Sequence, residues 1–153
     1  MNFIKSPLNY IGGKYKLLSS MYPLFPDNIR TFVDLFAGGF NVGINAEAET
    51  IICNDQLTYV VDIYKYLYST DLDVVLADIN KIIAEFKLTK ENIDGYNTLR
   101  SRYNAHRDIL DLLVLTFYAF NNQIRFNNNH EFNSSFGISR SSFKKYGENS
   151  PEL

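Results

Sequence analysis

A short β-rich run, Thr31-Phe32-Val33-Asp34-Leu35, leads within three residues to the pair Gly38-Gly39, and a second such run, Thr50-Ile51-Ile52-Cys53, ends in Asn54-Asp55. β-branched and aromatic residues bounded by turn formers read as strands. The interval leaves room for a loop over 36–40 and a brief helix ending at about Glu47. A strand–helix–strand unit this tight implies a parallel pair with a right-handed crossover, hence an α/β architecture. Both strands are apolar enough to be expected buried on two faces, as parallel strands usually are. The glycine loop leaves the carboxyl end of the first strand, where open α/β sheets take their ligands.

The chemistry of that loop narrows the ligand. Gly38 and Gly39 let a ligand lie against bare backbone, and Asp55 ends the second strand where an acid can accept bonds from ribose hydroxyls. The pattern is Gly-Gly-x-x-x-Gly, not the G-x-G-x-x-G of a dinucleotide site, and no Gly-Lys-Ser/Thr follows for a P-loop. Asp34, so near the loop, would repel a pyrophosphate but suits a sulfonium and an ammonium group. This favours S-adenosylmethionine over a dinucleotide. The bland alternative is an ordinary tight turn, with Asp55 merely capping the next helix.

Elsewhere the pattern is helical. Residues 14–22 read as a helix ended by Pro23 and Pro26, and 57–68 as another. Leu72, Val75, Leu76, Ile79, Ile82, Ile83 and Phe86 fall on one face of an amphipathic helix. Residues 91–106 form a further helix, and 108–120 are apolar nearly all round, as in a buried helix. From Asn121 the chain turns Asn- and Ser-rich with scattered basic residues, which reads as a long functional loop or hairpin. With 153 residues and 46% hydrophobic content the chain is about one globular domain. The lone Cys53 excludes a disulfide framework or zinc cluster and reads as a small buried hydrophobe. No signal peptide or bilayer-length apolar run occurs, so a cytoplasmic protein is the expectation. A net charge of -2 gives no overall basic signal, so any nucleic-acid surface must be local.

Four ordered blocks carry a family resemblance: Pro7-Leu8-Asn9-Tyr10-Ile11-Gly12-Gly13-Lys14; Phe32-Val33-Asp34-Leu35-Phe36-Ala37-Gly38-Gly39; Asn54-Asp55; and Ile124-Arg125-Phe126-Asn127 with Glu131-Phe132-Asn133-Ser134-Ser135-Phe136-Gly137. Together they resemble the Dam-type (D12 class) DNA adenine-N6 methyltransferases of bacteria and phages. The resemblance implies a partial Rossmann-like S-adenosylmethionine-dependent methyltransferase fold with an inserted helical target-recognition region. It implies a cofactor-binding part over 1–56, a DNA-recognition region with a hairpin over 57–146, and a tail over 147–153. Tyr10, Gly12 and Lys14 should border the cofactor, Asp34, Phe36, Gly38 and Gly39 should wrap it, and Asp55 should hold the ribose. Lys5, Arg125, Asn127, Asn133 and Arg140 are implied DNA contacts, and no metal is implied. Arg100, Arg102, His106 and Arg107 form a second basic group, with a solvated helix face as the alternative. Ser134-Ser135 departs from the commoner pair ending in proline, which leaves the target sequence open.

The family's Asp-Pro-Pro-Tyr catalytic signature is missing: the prolines are Pro7, Pro23, Pro26 and Pro151, so no catalytic residue is assigned in this chain. Two strands would leave sheet edges open. The expectation is a truncated or split enzyme whose partners are duplex DNA and a complementing C-terminal half. A non-catalytic DNA- or cofactor-binding module derived from a methylase is the alternative. A small-molecule methyltransferase is a third, less suited to the Asn-rich segment.

Overall fold

In the computed structural model, which describes residues 2–138 and 142–143, the chain divides into two units, Met1–Asp71 and Leu72–Leu153. The first begins with an extended segment that includes the two-residue strand β1 (Asn9–Tyr10). The helix expected over 14–22 is instead broken: a 3-10 turn at Tyr15–Leu17, the single α-turn α1 (Leu18–Met21), and a second 3-10 turn at Tyr22–Leu24. No side chain caps any of these starts, and Pro23 within the last turn supplies no N–H. Leu18 is fully buried and anchors the segment.

The expected parallel pair is present. In β2 (Ile29–Asp34) and β3 (Ala48–Cys53), Thr31 pairs with Thr50, Phe32 with Ile51, Val33 with Ile52 and Asp34 with Cys53. The connection is shorter than expected, with only a 3-10 turn at Gly43–Asn45 in place of a helix. The side chains of Asn41 and Asn45 explain why: both leave the turn to bond the segment at Ile4 and Ser6. Gly43 also abuts the Phe40 ring, where a Cβ would lie 2.2 Å from the nearest ring carbon.

Two-faced burial of the strands is not what the structure gives. Partners in a parallel register share a face, so Val33 and Ile52 lie together, and they are 51% and 47% exposed. The opposite face is better covered, with Phe32 packed on Phe25 at 5.2 Å between ring centroids. Cys53 is half-buried rather than fully so, and burial still pushes its thiol up to about 11. Helix α2 (Thr58–Ser69) completes the unit, burying Val60 and Ile63.

Among its described residues the second unit holds three α-helices and a hairpin. Helix α3 (Leu72–Glu85) buries Val75, Ile79 and Ile82 from the expected apolar face. Helix α4 (Ile93–His106) is capped by Asn92, whose side chain accepts from the Gly95 N–H, and buries Tyr96, Leu99 and Tyr103. Helix α5 (Ile109–Tyr118) is capped by Asp108 and buried along its length, as its all-round apolar sequence requires. Arg102 holds Asp111 through two bonds of 2.8 and 2.6 Å and Glu85 through a third of 2.7 Å. This ties α4 to α5 and α3. Among the described residues no helix is long and apolar enough to cross a membrane.

Candidate cofactor pocket and DNA-reading hairpin

The ladder of β2 and β3 runs one step past the strands, with Asn54 N–H on Asp34 O and Ala37 N–H on Asn54 O, each at 2.9 Å. This brings Asp55 beside the glycine loop. One Asp55 oxygen accepts from the Gly38 N–H at 2.7 Å and the other from the Leu57 N–H at 2.9 Å. The carboxylate therefore ties the loop to the turn that leads into α2. An ionised carboxylate has about four acceptor sites, so each oxygen keeps one for a further donor.

A second wall comes from the N-terminal segment. Tyr10 turns back on itself through a bond from Gly13 N–H to its carbonyl at 3.0 Å, with Gly12 at φ 80°. Gly38 sits at φ 48°, and a Cβ there would lie 3.0 Å from the Tyr10 ring. A Cβ on Gly39 would meet the Leu8 carbonyl at 3.2 Å. Gly38 is thus required by its positive φ and the Tyr10 ring, and Gly39 by the close approach of the Leu8 backbone, as much as by any ligand.

The two walls enclose a cavity of about 220 Å³. Tyr10, Gly12, Lys14, Phe36, Gly38, Gly39 and Asp55 all line it, which brings together most of the residues singled out from the sequence. Asp34 is set behind that lining, where its carboxylate accepts from the Gly43 N–H at 3.0 Å. Burial pushes the Asp34 carboxyl above its ordinary value, against the pull of the Gly43 bond and the Lys14 charge. Asn41 also lines the cavity and was not anticipated; its position two residues after the glycine pair was the available signal. Burial beside Asp55 raises the Tyr10 hydroxyl as well.

The residues expected to meet DNA fall in less uniform settings. Residues 118–126 run antiparallel to 132–137, with bridges at Ala119–Phe136 and Phe126–Phe132, and β4 (Gln123–Ile124) lies in the outgoing arm. Asn127 builds the connecting turn: its side chain accepts from the Asn129 and Glu131 N–H groups and donates to the Glu131 carboxylate. Arg125 is exposed on the outgoing arm, and Asn128, Asn129 and His130 are exposed at the tip. Asn133 donates its backbone N–H to Arg125 O, while its Oδ1 is buried without a partner among the described residues. Lys5 is exposed in the first unit, and Arg140 lies outside the described residues.

The second basic group has structural duties. Tyr96, Arg100, Asn104 and Arg107 recur at four- and three-residue spacing, on one stripe of α4 and its C-cap. Each bonds the hairpin: Tyr96 hydroxyl and Arg100 to Ser134 O and Asn104 to both backbone groups of Phe132 on the returning arm, and Arg107 to His130 O at the tip. Arg102 is committed to Asp111 and Glu85. Only His106 of that group is left exposed without such a bond among the described residues.

The cavity lies at the carboxyl ends of the parallel pair, walled by a glycine loop and an acid, which is where open α/β sheets take their ligands. The chain belongs to the D12 class of N6 adenine-specific DNA methyltransferases, whose family model matches residues 10–152. It is 52% identical over 142 residues to the type II methyltransferase M.FokI of Planomicrobium okeanokoites, covering 93% of this chain and 22% of that protein. It is 48% identical over 143 residues to the modification methylase StsI of Streptococcus sanguinis, covering 94% and 22%. The DNA adenine methylase of Haemophilus influenzae is 25% identical over 134 residues, covering 85% and 46%. The chain thus spans about a fifth of the first two relatives.

Proposed function

We propose that this chain carries the S-adenosylmethionine site and the target-reading hairpin of a DNA adenine-N6 methyltransferase. The observation that carries the reading is the cavity that Tyr10, Gly12, Lys14, Phe36, Gly38, Gly39 and Asp55 line together. The donor set fits the cofactor. Asp55 has acceptor capacity left for ribose hydroxyls. The Lys14 ammonium suits a carboxylate, and Asp34 behind the loop sets a negative field for a sulfonium and an ammonium. Phe36, 73% exposed on the rim, offers a flat apolar face to an adenine ring. The bound cofactor would supply the electrophilic methyl group; the chain's own residues bind and orient it.

On this reading residues 1–56 are the cofactor part of a partial Rossmann-like fold and 57–146 the inserted recognition region. Adenine inside a duplex must be flipped out of the stack before its amine is reachable. Arg125 and the Asn128–His130 tip are the side chains free to meet DNA, with Lys5 and Arg140 as further candidates. Asn127 serves by shaping the turn. Asn133 reaches DNA only if its buried Oδ1 gains a donor there. Arginine is suited to guanine in the major groove and asparagine to adenine.

The catalytic Asp-Pro-Pro-Tyr is supplied by a complementing part, either further along a longer polypeptide or as a separate chain. The exposed apolar side chains Val33, Leu35 and Ile52 support this, because they mark a sheet face that added strands and helices would cover. The test is methyl transfer from labelled S-adenosylmethionine to duplex DNA. The reading expects N6-methyladenine only when the complementing part is present. Methylation by the 153-residue chain alone would overturn the split, and cofactor binding without any methylation in the joined protein would favour a non-catalytic module.

A further inference from the structure

Tyr64 of α2 does not line the cavity, yet its hydroxyl is the shorter of two side-chain bridges from Gly39 to Ser6, the other being Asn41, which donates to Gly39 O at 3.5 Å and accepts from Ser6 N–H. It donates to the Gly39 carbonyl at 2.8 Å and lies 2.8 Å from Ser6 Oγ. A phenol has one proton, so with that proton on Gly39 O the Ser6 hydroxyl is the donor of the 2.8 Å bond to Tyr64, which is shorter than its alternative of 3.4 Å to Leu8 O. Ser6 is buried, and its Oγ also accepts from the Leu8 N–H at 3.1 Å. The Ser6 N–H in turn donates to the Asn41 side chain at 3.0 Å. Gly39 therefore connects through one hydroxyl to the segment that presents Tyr10, Gly12 and Lys14. The Tyr64 ring packs on Phe40 at 5.3 Å between centroids, which fixes its aim. Burial pushes its hydroxyl up to about 12, so the proton stays on at any working pH.

We propose that Tyr64 is a positioning residue for the cofactor pocket, its hydroxyl locking the glycine loop to the N-terminal wall through Gly39 and Ser6. The proposal rests on the reading of that cavity as the S-adenosylmethionine site. Affinity then depends on a group that never touches the ligand. Removing the hydroxyl keeps the ring packing and leaves the longer Asn41 bridge to hold Gly39 against the N-terminal wall.

The test is calorimetric titration of S-adenosylmethionine into the full chain and its Tyr64→Phe, Ser6→Ala and doubly substituted variants, well below their melting temperatures. Loss of one net hydrogen bond corresponds to roughly two- to tenfold weaker binding. Each single variant should weaken binding in that range. The double variant should weaken it no more than the larger single effect, because both substitutions break one shared link. Tyr68→Phe, at a ring 95% exposed, should bind as the parent does. Unchanged affinity in Tyr64→Phe, or losses that simply add, would overturn the proposal. Amide exchange at Leu8, Gly13 and Gly38 tests the lock without ligand: it should quicken in Tyr64→Phe, and unchanged protection would overturn the lock. If the parent chain binds no S-adenosylmethionine, the cofactor reading fails and the exchange result alone decides for or against the lock.

Discussion

Replacing Asp55 by Asn keeps the side-chain shape and changes its capacity in one respect. The carboxylate presents an acceptor oxygen to Gly38 N–H at 2.7 Å and another to Leu57 N–H at 2.9 Å. An amide has one oxygen, so in either orientation one of those N–H groups faces an NH₂. Asn makes the same side-chain bond to the N–H two residues on as Asp does, so the oxygen is expected to stay on Leu57 and the bond to Gly38 to be lost. A hydrogen bond to a charged group contributes about 1.5–3 kcal/mol. Asp55 is only partly buried and water can reach the site, which reduces the expected cost to about 1–2 kcal/mol. Asp55→Ala loses both bonds and should cost about 2–4 kcal/mol. Urea unfolding at pH 7, followed by circular dichroism and tyrosine emission, would measure both. An Asp55→Asn variant as stable as the parent, or one as unstable as Asp55→Ala, would refute the reasoning.

Other outcomes follow from the same structure. Asn104→Ala removes two bonds to the Phe132 backbone, at 2.8 and 3.1 Å, and should destabilise the second unit by about 1–3 kcal/mol in urea unfolding. Asp34 has a folded carboxyl raised above 3.8, so just above that pH the folded state holds more protons than the unfolded one. Its contribution to stability therefore falls as pH rises through that window. Subtracting unfolding free energies of Asp34→Asn from those of the parent across acid pH should expose this slope, and a difference that rises with pH would contradict it. Arg125→Ala should leave stability unchanged and weaken or broaden DNA-site choice in a reconstituted enzyme, read by methylation of a panel of duplexes.

Much of the first unit was legible because strand composition and turn residues act locally: Thr50–Cys53 falls within β3, and the expected strand Thr31–Leu35 overlaps β2 through Asp34 and overruns it by one residue. The long helices were legible for a similar reason, since α3 carries its apolar face in plain periodicity. The short connection at Gly43–Asn45 was not, because Asn41 and Asn45 reach residues some 35 to 41 positions away. Basic residues on α4 looked like a DNA surface, but sequence does not reveal that Arg100 and Arg107 point at hairpin carbonyls. The same holds for Asn127, whose side chain closes its own turn. In the pocket, Lys14 and Asp55 were visible as motif residues, whereas Tyr64 and Ser6 support it from outside any motif.

Titration of the chain with S-adenosylmethionine tests the central claim most directly. The account predicts saturable one-to-one binding that Asp55→Ala abolishes or weakens by at least tenfold, about 1.4 kcal/mol. No binding to a folded chain, or binding that Asp55→Ala leaves unchanged, would contradict it.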